Sequence, residues 1–212
     1  VEKRPIKECR LYGFVDTAYL AKRDPAEVAR QLIAGGVDII QVRAKKEKHS
    51  KLVEIGVAVV RAAQETPVPV IINDDIEAAY ETGAAGVHLG QEDWAEIPRA
   101  ERHRRLMGLE ILGISTHSLH QAMEAERDGA NYIGVGPIHS TGTKPGRAPV
   151  GLTLIHQVAV RVHTPFFAIG GITVENLKNV LIAGAKRIAV VSAILKAEDV
   201  TKAAAAFKER LA

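Results

Sequence analysis

The chain has 212 residues, 47% hydrophobic and 25% charged, which excludes disordered, collagen-like and fibrous classes and supplies apolar surface for a sizeable core. Its 28 Lys and Arg against 25 Asp and Glu leave a formal charge of +3, too mild to argue for a nucleic-acid or acidic-membrane partner, and 4% aromatics offer no stacking platform for single strands. The single Cys9 excludes an intrachain disulfide and a cysteine metal cluster; the start VEKRPIKECR lacks an apolar signal segment and no 18-residue apolar run follows, so the expectation is a cytoplasmic protein without a membrane span.

In chain order, a first apolar run, LYGFV (11–15), reads as a buried strand, and a helix follows over 24–34, opened by Asp24 ahead of Pro25. AGGVDIIQVR (34–43) then passes from a glycine turn into a second strand, followed by a helix over 50–64 that starts at Ser50. VPVIIN (68–73) is a third strand with a helix over 76–82, and TGAAGVHLG (82–90) is a fourth with a basic helix around 98–105. EILGIS (110–115) leads to a helix over 118–128 capped by Ser118, and DGANYIGVG (128–136) leads to a long loop and a helix over 153–162 capped by Thr153. PFFAIG (165–170), a helix over 174–183, AGAKRIAVV (183–191) and a helix over 197–211 complete the series.

Four of these strands begin at a small Gly-Ala junction, where a left-handed glycine ends one helix and β-branched residues start the next strand. Eight strands alternating with eight helices in this length predict a single (β/α)8 TIM barrel over residues 1–212, with 1–10 as an N-terminal extension. The competing doubly wound sheet would carry G-x-G-x-x-G after its first strand, and none is there.

In such a barrel the chemistry sits at the C-terminal ends of the strands, and the unusual polar residues collect there. Alternation puts Gln41 and Arg43 on one face of the second strand, where an amide and a charge need something polar to bind, with Lys45 just beyond. Asp74 and Asp93, from the ends of the third and fourth strands, are candidate ligands for a hard divalent cation such as magnesium; Asp75 or Asp93 also fits as an N-cap of the next helix. Ser115 presents a hydroxyl after the fifth strand, and the loop 138–151 brings Thr141, Thr143, Lys144 and Arg147 as a candidate lid or anion-binding segment. Gly171 and Ser192, after the seventh and eighth strands, suit a second phosphate site. Plainer roles fit the rest. His88 reads as a structural histidine, Trp94 as loop packing, Arg99, Arg102, Arg104 and Arg105 as a solvated helix face, and His117 with His120 as no zinc site.

The runs IINDD, GVHLGQED, ILGISTHS, YIGVGPIHSTGTK, AIGGI and AVVSAI, in this order and spacing from about Leu11 to Ala193, resemble the thiamin phosphate synthase family. The resemblance implies a barrel enzyme that joins hydroxymethylpyrimidine diphosphate to hydroxyethylthiazole phosphate and releases diphosphate by a dissociative, Mg2+-assisted route. It implies that Gln41, Val42, Arg43, Ala44, Lys45, Asn73, Ser115 and Lys144 contact the pyrimidine diphosphate, with Arg43, Lys45, Ser115 and Lys144 catalytic. Asp74 and Asp93 would hold magnesium, and Thr141, Thr143, Gly171, Val191 and Ser192 would contact the thiazole phosphate. Mg2+ with Arg43, Lys45 and Lys144 carries about +5, which the two aspartates reduce to about +3, near the charge of the leaving diphosphate. The chain departs from the family pattern at Ala44, where a glutamate is usual, at Asp75, where an arginine is usual, and at His139-Ser140, where an aromatic-Pro pair is usual. A related thiazole tautomerase carries a histidine where this chain has Pro137, and a non-catalytic phosphate-binding protein would be expected to lose Asp74 or Asp93. The partners expected are these small molecules, with no nucleic acid or membrane, and a homodimer is left open.

Overall fold

The computed structural model describes residues 1–140 and 148–211. Eight parallel strands close into a barrel in sequence order, with β8 hydrogen-bonded back to β1. They are β1 (Leu11–Asp16), β2 (Ile39–Arg43), β3 (Val70–Asn73), β4 (Gly86–Leu89), β5 (Ile111–Thr116), β6 (Tyr132–Val135), β7 (Phe166–Ile169) and β8 (Ile188–Ala189). Around them run α1 (Thr17–Leu20), α2 (Pro25–Ala34), α3 (His49–Ala62), α4 (Ile76–Thr82), α5 (Gln91–Glu96) and α6 (Arg99–Leu106). The helical shell continues with α7 (Leu119–Arg127), α8 (Gly151–Arg161), α9 (Leu177–Ile182), α10 (Ser192–Leu195) and α11 (Val200–Lys208). The expected fold class is therefore the observed one. Among the described residues no helix is long and apolar enough to cross a membrane.

The glycine junctions do what the sequence pattern asks of them. Gly36, Gly83, Gly129 and Gly184 all take positive φ, between 69° and 108°, and turn α2, α4, α7 and α9 back into β2, β4, β6 and β8. Asp24 caps α2 by accepting from the Ala26 amide, and Ser118 caps α7 by accepting from Gln121.

Two expected caps move. Ser50 lies inside the first turn of α3, which opens at His49, and Thr153 lies inside α8. The entry to α8 is set instead by the preceding loop, whose Pro137 and Ile138 carbonyls accept from the Val150 and Gly151 amides. Likewise α9 starts at Leu177, because Thr173 and Asn176 first close a turn through their own side chains. The basic stretch is not uniformly solvated. Arg102 stacks 3.9 Å over the Trp94 ring and pairs with Asp128 at 2.7 Å, while Arg99 and Arg104 stay exposed.

The barrel interior is filled by aromatic rings. Tyr12, Tyr132 and Phe167 are almost fully buried and meet edge to face, with Phe14 stacked on Tyr12 at 5.1 Å. Room for them is made at Gly113. A Cβ there would lie 2.2 Å from the Tyr132 ring and 2.6 Å from His88 Nδ1.

Candidate active site

Above the aromatic plug, the C-terminal ends of the strands open into a cavity of about 90 Å3. Register brings its polar residues to one level, with Phe14 opposite Gln41, Asp16 opposite Arg43 and Asn73 opposite His88. Of the expected site residues, Gln41, Arg43, Asn73, Ser115, Gly171, Val191 and Ser192 line this cavity. Ala44, Lys45 and Asp74 line an adjoining cleft of about 610 Å3, and Asn73 is shared by both. Val42 faces the other way. Its side chain is fully buried on the opposite side of β2, as alternation requires, so that only its main chain is near the mouth. Thr141, Thr143 and Lys144, with Arg147, lie outside the described residues.

The Arg43 charge has a partner inside the chain. Its guanidinium donates to Asp16 Oδ2 at 2.8 Å, while Asp16 Oδ1 caps α1 by accepting from the Ala18 amide at 3.0 Å. A bound ligand is thus not the only thing that makes Arg43 tolerable in the barrel. Asp16 also lowers the formal charge balance expected for the mouth from about +3 to about +2. Sequence reading overlooked Asp16 because it ends a wholly buried strand with no motif around it.

Beneath the cavity a hydrogen-bonded chain crosses the barrel. Gln41 Nε2 donates to Tyr12 Oη at 2.8 Å, the Tyr12 and Tyr132 hydroxyls lie 2.7 Å apart, His88 Nδ1 is 3.0 Å from Tyr132 Oη, and His88 Nε2 is 2.9 Å from Ser115 Oγ. With Gln41 donating, every hydrogen is placed if the chain runs one way: Tyr12 donates to Tyr132, Tyr132 to His88 Nδ1, and His88 Nε2 to Ser115. The Ser115 hydroxyl hydrogen is then left to point into the cavity. Burial pushes the Tyr12 and Tyr132 phenols above their ordinary range, so both stay protonated donors. His88 is thus the hydrogen-bonded histidine its place in the strand suggested, and it orients Ser115.

The two candidate metal ligands meet at the rim. Asp74, held at φ 64° with its amide bonded to the His88 carbonyl, ion-pairs with Lys45 at 2.9 Å. Asp93, in the first turn of α5, accepts from the Gly90 amide at 3.2 Å and so also closes the start of that helix. Its pKa is raised, first by burial and then by the adjacent Asp74 carboxylate. Two adjacent carboxylates, one of them also paired with Lys45, offer the oxygen donors taken by a hard cation that keeps water or substrate oxygens. Among the described residues no group of three or more acidic, histidine or cysteine side chains that could hold a metal is found.

Opposite this rim, the loops after β7 and β8 face each other. Neither Gly171 nor Ser192 donates its amide to a backbone carbonyl among the described residues, so both are available to an anion. Gly171 is held at φ 62°, where a Cβ would press on His139 and Ser140. The departures from the family pattern also find places. Asp75 lines the same cleft as Lys45 and Asp74, with its carboxylate engaged in capping α4 through the Ala78 amide and in bonding His49 Nδ1 at 2.7 Å. Ala44 leaves the adjoining cleft open, and His139 Nε2 is buried with no hydrogen-bond partner among the described residues. His117, bonded to the Gly136 carbonyl, reaches the cavity, whereas His120 is exposed beside Glu124.

Comparison with known proteins agrees with this geometry. The family model described as thiamine monophosphate synthase matches residues 11–194. The thiamine-phosphate synthase of Halalkalibacterium halodurans is 43% identical over 197 residues, covering 92% of each chain. The solved thiamine phosphate pyrophosphorylase from Pyrococcus furiosus superposes with a TM-score of 0.85 at 31% identity over 98% of both chains. A 3-hexulose-6-phosphate synthase structure, TM-score 0.72 at 20% identity over 96% of this chain and 100% of that one, shares the barrel. On its sequence, its fold and the residues gathered at its mouth, the chain belongs to the thiamine-phosphate synthase family.

Proposed function

We propose that this chain performs its family's reaction, acting as a transferase that joins hydroxymethylpyrimidine diphosphate to hydroxyethylthiazole phosphate and releases inorganic diphosphate. The observation that carries the reading is one mouth with two unlike ends: Arg43, Lys45 and paired carboxylates on the β2–β4 side, and free loop amides on the β7–β8 side. The first suits a diphosphate. The second suits the single phosphate of the other substrate.

The bond that breaks joins the pyrimidine methylene to a diphosphate oxygen, and its electron pair leaves with the diphosphate. The thiazole nitrogen then donates its lone pair to the pyrimidine-methyl cation. Such a step asks for positioning and charge stabilisation more than for a strong base. Arg43, fixed by Asp16, and Lys45 neutralise the leaving group; the Ser115 hydroxyl, aimed by His88, donates to it, and Gln41 and Asn73 hold the pyrimidine end. From sequence, Lys144 is assigned to the diphosphate as well, and Thr141 and Thr143 to the thiazole phosphate. Asp74 and Asp93 would hold Mg2+, which when bound supplies further positive charge at the diphosphate oxygens. The chain is read as one barrel unit with residues 1–10 as an extension; Cys9 is a free, buried thiol, in keeping with a cytoplasmic setting.

The decisive experiment incubates both phosphorylated halves with the protein, with and without magnesium. Diphosphate and thiamin phosphate should form only with both substrates and the metal; binding of both without diphosphate release in Mg2+ would overturn the reading. A tautomerase would need no metal and would release no diphosphate. Asp93→Ala should cut turnover about a hundredfold or more while leaving thiazole phosphate binding nearly intact.

A further inference from the structure

At the end of the barrel away from the mouth, a cavity of about 280 Å3 lies where β1 and β8 begin. Five cationic side chains wall it: Lys7, Arg10 just before β1, Lys186 and Arg187 just before β8, and Arg210. No Asp or Glu is among the described residues of that wall, and none of the five forms an ion pair among the described residues. In contrast, the neighbouring Arg4 and Lys208 both neutralise Asp38. Glu175 interacts with Arg210 but is fully exposed and is not part of the wall.

The guanidiniums are held in position by the backbone rather than by carboxylates. Arg187 Nη2 donates to the Lys7 carbonyl at 2.6 Å, Arg210 Nη1 to the Ala206 carbonyl at 2.6 Å, and Arg10 to the Leu211 carbonyl. Arg187 Nε is buried and meets no acceptor among the described residues. Burial, with repulsion from Arg10, draws the Arg187 pKa below its ordinary value, against the opposing effect of Cys9. Leu181 and Leu211 supply apolar wall; Lys7, Arg10, Lys186 and Arg210 are exposed, so the attraction of the cations for an anion is strongest at low salt.

We propose that this cavity is a second ligand site, which takes the diphosphate group of a small molecule, either free diphosphate or the tail of a nucleoside diphosphate. Several fixed donors around one concavity match a group with many acceptor oxygens. At this volume, on the small side of ligand cavities, it encloses the phosphoryl groups and leaves a nucleoside outside. A concave pocket of this size also disfavours an extended polyanion such as duplex DNA.

The test is calorimetric titration of the intact protein at low salt, first with inorganic diphosphate and then with ADP. Two binding events per chain are expected for diphosphate, one at the mouth and one here. In Lys186→Gln/Arg210→Gln, two exposed positions where the fold is not at stake, the second event should weaken at least tenfold while synthesis from saturating substrates is unchanged. Arg187→Gln should do the same. Binding of ADP at this site identifies a nucleotide source and its exclusion a free anion, and either result supports the site. A single event in both wild type and variant overturns it. So does tight binding of a 20-base-pair DNA duplex that the same variant loses, which would make the patch a nucleic-acid surface.

Discussion

A guanidinium on the inner face of a strand needs a counter-charge before any substrate arrives, and Asp16 supplies it to Arg43 with both side chains nearly closed to solvent. Removing one member of such a pair leaves the other buried and uncompensated, which costs more than the pair itself is worth. Asp16→Ala should therefore lower stability in urea by about 3 kcal/mol and reduce kcat/KM as Arg43 loses its fixed direction. A loss below about 1 kcal/mol would mean that water or a new rotamer takes over the role of Asp16. Cys9 gives a second residue-scale expectation. Burial pushes its thiol up to about 12, with the Asp38 charge adding to the effect, so almost no thiolate exists at pH 8. A thiol reagent should leave Cys9 untouched in the native protein and label it fully in denaturant.

At the scale of elements, β4, β5 and β6 are fitted together by the absence of a side chain. Gly113→Ala would drive a methyl into Tyr132 and His88, two links of the chain that orients Ser115. The expected result is a stability loss of about 1–3 kcal/mol with a larger fall in kcat than in KM, read by urea unfolding and steady-state assay. The approach to β7 depends on a charge. Glu126, near the end of α7, accepts from the His163 and Thr164 amides at 2.6 Å each, and these bonds hold its pKa below the ordinary 4.5 despite partial burial. A depressed carboxylate contributes stability that is complete above its ordinary pKa and is lost as pH falls through the folded value. Wild type should thus be more stable than Glu126→Gln at pH 7, with the gap closing as pH drops below about 4.5 in thermal melts.

These elements also show what the sequence could reveal. The glycine junctions and the alternation at Gln41 and Arg43 follow from local rules, because a left-handed turn and a two-residue period leave marks within a few positions. The partnership of Tyr12 with Tyr132, 120 residues away, leaves no such mark. Nor does Asp16, whose role depends on the register of a neighbouring strand. The short helix α5 was hidden because its first residues read equally well as a polar strand end, although it carries Asp93.

For the whole molecule, one buried carboxylate ties the N-terminal segment and α11 to the start of β1. Asp38, just before β2, pairs with Arg4 of the N-terminal segment, accepts from Lys208 Nζ at 2.6 Å at the end of α11, and accepts from the Arg10 and Leu11 amides at the start of β1. Its side chain is only 2% exposed and the Leu11 amide it accepts from is buried, whereas Arg4 and Lys208, at 31% and 36% exposure, still reach water. The amides keep a partner in Asp38→Asn only if the new carbonyl oxygen turns toward them, while both cations lose their counter-charge. We expect that variant to lose about 3 kcal/mol or more in urea, as for other broken buried charge clusters. Because Asp38 reaches a partner 170 positions along the chain as well as the N-terminal segment, hydrogen exchange should quicken together at Leu11, at the end of α11 and in the first residues, while the α4–α6 side of the barrel keeps its protection. Exchange that quickens only at the N-terminus would show that α11 is held by its apolar contacts alone.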